Sequence, residues 1–187
     1  MSAYGHDGFF TGTFNATANV TNPIDQAHCD LIYGLTVSLK PAAILELGYG
    51  KGASFKALWH ALVYNGLNCH YTLVDDWRAH AGHPPHELDE LPMEILSMTE
   101  EAFYRDHAKP HSYDLILSDA DHLHAHEWFA QSLEMLRQPG LLIYHDASNP
   151  DHRNLMELDL RGLRYLLFNK SSRPEEWCER GLLVISK

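Results

Sequence analysis

The most informative segment of the chain runs Glu46-Leu47-Gly48-Tyr49-Gly50-Lys51-Gly52-Ala53-Ser54, three alternate glycines after a short apolar run that ends in a carboxylate. Residues 42–45 predict a buried strand before it, and residues 55–62 predict a helix after it. Glycine at a strand-to-helix turn permits positive φ and lets a ligand approach bare backbone beside the free N–H groups of the helix. The spacing fits both a dinucleotide-binding loop and a Glu-x-Gly-x-Gly-x-Gly loop, so the glycines alone predict only a nucleotide-like ligand.

Strand and helix patterns alternate along the rest of the chain. Further strands are predicted at residues 71–74, 113–118, 141–144, 164–168 and 182–185. Helices are predicted at residues 24–38, 100–107 and 124–136, and the apolar face of the first consists of Ile24, Ala27, Leu31, Ile32 and Leu35. Residues 78–92, which are rich in His and Pro, predict a surface loop. This alternation is typical of an α/β fold with a mostly parallel sheet covered by helices on both faces.

The composition predicts one globular domain. The chain has 187 residues and is 45% hydrophobic, so we expect a single domain at residues 23–187. Residues 1–22 show no sustained hydrophobic periodicity and predict an arm or lid before it. Lys and Arg number 14 against 25 Asp and Glu, and the net charge of −11 argues against nucleic acid or a membrane surface as a partner. The sequence shows no signal-peptide pattern, long apolar span or CxxC motif, which predicts a cytoplasmic location.

Two carboxylates and a tryptophan follow the second predicted strand. Asp75 lies 75 − 52 = 23 residues after Gly52, close to the spacing of roughly 20 at which a ribose-binding acid is expected. Asp75 or its neighbour Asp76 could instead cap the next turn. Trp77 either stacks on an adenine ring or packs over the loop, and the sequence leaves both interpretations open.

Acids and histidines also follow the strands predicted at 113–118 and 141–144. Asp119 and His122 come after the first of these strands, and His145 and Asp146 come at the end of the second. Because the carboxyl ends of parallel strands meet at one edge of a sheet, Asp119 and Asp146 could share a divalent cation, with His122 as a nearby base. His124 and His126 are interpreted as solvent-facing.

Four segments together resemble the class I S-adenosylmethionine-dependent methyltransferases. They are the glycine segment 46–54, Asp75, residues 113–122, and Gln138-Pro139-Gly140-Leu141-Leu142-Ile143-Tyr144-His145-Asp146. The chain looks most like the small metal-dependent O-methyltransferases and the sugar- and antibiotic-tailoring methyltransferases, over residues 40–150. The resemblance implies a Rossmann-like, doubly wound, mostly parallel seven-stranded sheet with a final antiparallel strand. It also implies S-adenosylmethionine as cofactor and a possible homodimer.

The resemblance implies roles for individual residues as well. Cofactor binding is expected of Glu46, Gly48, Tyr49, Gly50, Gly52, Ser54, Asp75, Asp76, Trp77, Met98, Thr99 and Asp119. Asp119 and Asp146 match the two metal-binding aspartates, which would hold Mg²⁺, and His122 falls at the position of the catalytic base.

Two positions depart from the family's pattern. Ala147 stands where a third metal ligand such as Asn is common, so His145, Asn149 or water would have to complete the coordination shell. Residues 96–99 lack the carboxylate that often holds the adenine, although Ser97, Met98 and Thr99 could line an adenine pocket.

The predicted function is O-methylation of a hydroxyl on a small molecule, such as a secondary metabolite or a sugar, with divalent-metal assistance. Two alternatives remain open at this point. One is a noncatalytic cofactor-binding or regulatory protein that keeps the methyltransferase fold. The other is a nicotinamide-dependent oxidoreductase.

Overall fold

The computed structural model describes residues 26–66, 68–121, 123–148, 155, 158–168 and 181–187. The arm predicted at residues 1–22, the predicted base His122 and Asn149 lie outside the described residues. The helices are α1 (Gln26–Leu39), α2 (Ala53–Tyr64), α3 (Glu100–Asp106) and α4 (Phe129–Met135). None of these described helices is long and apolar enough to cross a membrane.

Seven strands form one sheet in the order β3-β2-β1-β4-β5-β7-β6. They are β1 (Ala43–Leu47), β2 (His70–Asp75), β3 (Glu94–Ser97), β4 (Tyr113–Ser118), β5 (Leu136–His145), β6 (Arg164–Phe168) and β7 (Leu182–Ser186). The first five strands pair in parallel, and β7 runs antiparallel to both β5 and β6. The predicted Rossmann-like, seven-stranded sheet is therefore confirmed.

Alternating side chains of the central strands enter two separate hydrophobic cores. Ile44 belongs to the core that contains α1 and α2 residues, and its neighbour Leu45 belongs to the core that contains α3 and α4 residues. The same alternation holds in β4, where Leu115 and Ile116 enter opposite cores. Because successive side chains of a strand point to opposite faces, helices cover both faces of the sheet, as predicted.

The face that α1 buries agrees with the predicted apolar face only in part. The buried residues of this helix are His28, Cys29, Ile32 and Thr36, and Ala27, Leu31 and Leu35 are only partly buried. Thr36 donates its hydroxyl to the carbonyl of Ile32, which satisfies its polar group inside the core. Ile32 of the predicted face is fully buried, and Leu31 and Leu35 pack against the same core. The apolar pattern gave no weight to buried polar residues, and it thereby missed His28.

Candidate functional site

A cavity of about 630 Å³ opens at the carboxyl ends of β1, β2, β3 and β4. It lies beside the point where the strand order reverses between β1 and β4, the usual ligand position in doubly wound sheets. We call it the strand-end cavity. Gly48 and Gly50 line it after β1, Met98 and Thr99 line it after β3, and Asp119 lines it after β4.

The structure requires glycine at the three loop positions for different reasons. A β-carbon at Gly48 would lie 2.5 Å from the carbonyl oxygen of Asp119, and one at Gly52 would lie 2.6 Å from the Tyr49 hydroxyl. At Gly50 a β-carbon would meet nothing within 4 Å. Close packing inside the protein thus accounts for Gly48 and Gly52, and of the three only Gly50 has open space at the position of a β-carbon.

Glu46 lies beneath the loop with no exposed surface. Ser54 at the start of α2 donates to one of its carboxylate oxygens at 2.6 Å, and Tyr71 of β2 donates to the other through a short hydrogen bond. Burial raises the pKa of Glu46 to about 8 from 4.5. Glu46 and Ser54 were predicted to bind cofactor, but neither lines the cavity, and together they tie β1, α2 and β2 to one another.

The carboxylates after β2 face the cavity and also hold the local backbone. Asp75 accepts the backbone N–H of Tyr49 at 2.7 Å and that of Trp77 at 2.5 Å. Asp76 accepts the backbone N–H of Arg78 at 3.1 Å and its side-chain Nε at 2.5 Å. Both acids line the cavity, and each still has lone pairs that can accept hydrogen bonds from a ligand.

Trp77 is fully buried and belongs to the same core as α1 and α2. Its indole N–H donates to the Ser97 hydroxyl at 2.9 Å, and its ring lies 5.8 Å from that of Tyr49, which is also buried. Both side chains pack inside the protein and neither lines the cavity, which agrees with the packing alternative that the sequence left open for Trp77. The cofactor contacts of Trp77 and Tyr49 stay predictions.

Sequence reasoning missed Glu100, a buried carboxyl at the edge of the cavity. The residue begins α3 after the capping Thr99, accepts the backbone N–H of Asp121 at 3.0 Å and accepts the Ser118 hydroxyl at 3.2 Å. Burial raises its pKa to about 7 from 4.5. An acid in the first turn of a helix is ordinary, so nothing in the sequence marked Glu100 as facing inward.

A second group of side chains lies where β4 and β5 end side by side. Nδ1 of His145 lies 2.9 Å from Oδ1 of Asp119 and 3.3 Å from Oδ1 of Asp146, and one donor atom from each residue lies within 4.8 Å of the other two. We call these three residues the acid–histidine cluster. Two carboxylates and an imidazole fit a divalent cation, so the structure brings together the three predicted metal ligands.

The surroundings of the cluster are well packed. His28 of α1 is buried, and its ring lies edge-on to that of His145 with 5.5 Å between centroids. Ala147 is also fully buried and offers no side-chain donor to a metal. Asp119 is shared, because it belongs to the cluster and also lines the strand-end cavity.

Residues 45–147, more than half of the chain, match the family model described as a methyltransferase domain. The chain belongs to this methyltransferase domain family. The resemblance to class I methyltransferases that the sequence motifs indicated is thus confirmed. Among curated proteins, no sequence match is found.

Solved structures with the methyltransferase fold superpose on most of this methyltransferase chain. An O-methyltransferase from Bacillus cereus in complex with S-adenosylhomocysteine is 15% identical, with a TM-score of 0.68, and the match covers 92% of this chain and 86% of that one. A methyltransferase from Geobacter sulfurreducens is 16% identical, with a TM-score of 0.67 and coverage of 88% and 79%. The O-methyltransferase TomG from Streptomyces achromogenes, in complex with S-adenosylmethionine, is 13% identical, with a TM-score of 0.63 and coverage of 88% and 81%. At these identities the likeness shows the shared fold.

Proposed function

We propose that the protein transfers a methyl group from S-adenosylmethionine to a hydroxyl of a small molecule, with a divalent cation and His122 assisting. One observation carries this proposal: an acid-lined cavity at the strand ends shares Asp119 with the acid–histidine cluster. A methyl donor in the cavity and an acceptor at the cluster would thus lie beside each other, and positioning of this kind supplies much of the rate of a group transfer.

The charge of the cavity favours a cationic ligand. Six carboxylates line it against two basic side chains, Arg78 and His124, and the acids are Asp75, Asp76, Glu100, Glu101, Asp119 and Asp121. S-adenosylmethionine carries a sulfonium and an ammonium group, which such a surface attracts, whereas the pyrophosphate of a nicotinamide dinucleotide would be repelled. The cavity volume of about 630 Å³ is also within the usual range for a small-molecule site.

Several residues would hold this cofactor directly. Gly50 and Asp75 would bind its amino acid end and its ribose, and Met98 and Thr99 would bind its adenine, and all four residues line the cavity. Glu46, Ser54 and Gly52 support the site from below by fixing the loop. S-adenosylmethionine supplies an electrophilic methyl group when it is bound.

The acid–histidine cluster and His122 would act on the acceptor. Asp119, Asp146 and His145 would hold a divalent cation, which lowers the pKa of a bound hydroxyl. His122 would take the proton of that hydroxyl as a general base. Its chain neighbours Asp121 and Leu123 both line the cavity, which supports this assignment.

Calorimetry against S-adenosylhomocysteine is the first test of the proposal. We expect micromolar binding with one site per chain, and no binding of NADH under the same conditions. Asp76→Asn and Glu101→Gln variants should bind more weakly if the acidic lining attracts the ligand. An absence of S-adenosylhomocysteine binding at high micromolar concentration would contradict the cofactor assignment.

Transfer of labelled methyl from S-adenosylmethionine to a panel of sugars and phenols tests the reaction itself. His122→Ala should abolish turnover and keep cofactor affinity, whereas His86→Ala, at an exposed histidine outside the cavity, should change neither. Retained turnover in His122→Ala would reassign the base. Turnover that survives EDTA would exclude the divalent cation.

A noncatalytic cofactor-binding protein is the second candidate, and Ala147 favours it, because a common ligand position carries no donor. In that case S-adenosylhomocysteine would bind while no acceptor in the panel became methylated. We further propose that the protein is a cytoplasmic homodimer. Sedimentation velocity of the full chain should then give twice the 21.3 kDa mass of one chain.

A further inference from the structure

The donor atoms of the acid–histidine cluster already have the spacing of metal ligands. Bonds of roughly 2.1 Å to a cation place neighbouring ligand atoms about 3 Å apart at right angles. Nδ1 of His145 lies 2.9 Å from Oδ1 of Asp119 and 3.3 Å from Oδ1 of Asp146. The first of these contacts is a hydrogen bond in this structure. A cation would replace it and bind the imidazole and both carboxylates, whose donor atoms all lie within 4.8 Å of one another.

The chemistry of the donors separates one class of cation from another. Mg²⁺ prefers oxygen ligands and usually keeps several of its waters, whereas imidazole suits transition metals. In this cluster the side chain of His145 is 2% exposed, that of Asp146 is 8% exposed and that of Asp119 is 21% exposed. The nitrogen ligand of His145 disfavours Mg²⁺. Asp119, which also lines the strand-end cavity, leaves one side of the cluster open to water or to an acceptor.

The fold also restrains the imidazole. His145 is the last residue of β5 and pairs with Leu182 of β7 in the interior of the sheet. The buried ring of His28 packs edge-on against it from α1. These contacts hold the ring at the sheet edge where its Nδ1 lies near both carboxylates.

We propose that Asp119, His145 and Asp146 bind a transition-metal dication of the Mn²⁺, Fe²⁺, Co²⁺ and Zn²⁺ class through Nδ1 of His145, in preference to Mg²⁺. The inference rests on the proposed function, in which this cation assists methyl transfer, and it replaces the Mg²⁺ that the sequence resemblance implied. His145 then supplies the third protein ligand that Ala147 lacks.

Metal binding to the full chain tests the proposal without an activity assay. After dialysis against a chelator, titration calorimetry should show Mn²⁺ binding at least about tenfold more tightly than Mg²⁺. Electron spin echo envelope modulation of the bound Mn²⁺ should show ¹⁴N coupling from a directly coordinated imidazole. His145→Asn should remove this coupling and bring the two affinities within about threefold of each other.

His86→Asn is the matched control, because His86 is an exposed histidine 3.1 Å from the carboxylate of Asp89, and its loss should leave both readouts unchanged. Absence of Mn²⁺ binding, absence of ¹⁴N coupling in the wild-type protein, or equal affinity for Mg²⁺ would each overturn the proposal. If His145→Asn fails to fold, the wild-type coupling and affinity ratio still decide. S-adenosylhomocysteine affinity is measured in parallel. If the protein binds Mn²⁺ but not S-adenosylhomocysteine, the proposed function is contradicted and the metal proposal is not.

Discussion

The strand-end cavity and the acid–histidine cluster lie side by side but are built differently. The cavity depends on backbone shape, since Gly48 and Gly52 are required by close contacts and Gly50 presents open backbone. The cluster depends on three side chains, of which His145 and Asp146 are buried and Asp119 is partly exposed. Only Asp119 belongs to both. The two regions should therefore fail in different ways, and four predictions test this difference.

The largest expected effect concerns the backbone of the cavity. Gly48→Ala should destabilise the protein by about 3 kcal/mol or more, because its β-carbon would meet the backbone of Asp119 and Ala120 at a φ of +89°. Gly50→Ala, at a φ of +55° with open space around it, should cost only about 1 kcal/mol. Urea unfolding of both variants measures the difference. Equal losses of unfolding free energy would show that a close contact is not what distinguishes Gly48 from Gly50.

The next effect concerns the buried carboxyl that supports the loop. The pKa of Glu46 is about 8 in the folded protein and near 4.5 without burial, so the folded state holds this proton more tightly. The stabilisation is fully present below about pH 4.5 and is lost as the pH rises through 8, by on the order of a few kcal/mol.

Urea unfolding of wild type and Glu46→Gln between pH 5 and 8 checks this dependence. The variant should lose less stability than wild type as the pH rises, because its amide does not titrate. Glu101→Gln, at an exposed residue of α3, should keep the wild-type slope. A Glu46→Gln slope equal to that of wild type would mean that Glu46 is ionised in the folded protein throughout this range.

The sequence predicted the fold well because the fold depends on patterns of several residues. The strands at residues 113–118 and 164–168 were placed with the bounds that the structure has. The roles of single side chains were harder to predict, because each depends on whether one side chain points inward or outward. Examples are Trp77, Glu100 and His28. Burial of a polar side chain is decided by tertiary contacts such as the Trp77 hydrogen bond to Ser97, and a one-dimensional pattern does not contain them.

A pair of substitutions should separate the two regions by ligand. Asp146→Asn should weaken Mn²⁺ binding about tenfold or more and leave S-adenosylhomocysteine affinity unchanged, because Asp146 does not line the cavity. Asp75→Asn should weaken S-adenosylhomocysteine about tenfold, because it removes a charged acceptor and turns an amide N–H toward the backbone N–H of Tyr49 or Trp77. Its Mn²⁺ affinity should stay unchanged. Calorimetry with each ligand measures both variants. If either substitution weakened both ligands equally, the cavity and the cluster would be one site.

The smallest expected effect tests the buried position of Trp77. Ser97→Ala removes the acceptor of a buried indole N–H and should destabilise the protein by about 1 kcal/mol. Because Trp77 packs against Tyr49 beneath the cavity, the affinity for S-adenosylhomocysteine should stay unchanged, and so should that for Mn²⁺. Urea unfolding and calorimetry measure the two quantities on one preparation. A loss of cofactor affinity without a loss of stability would indicate that Trp77 contacts the ligand. A side chain that only packs in the core can change binding only by changing the stability or shape of the fold.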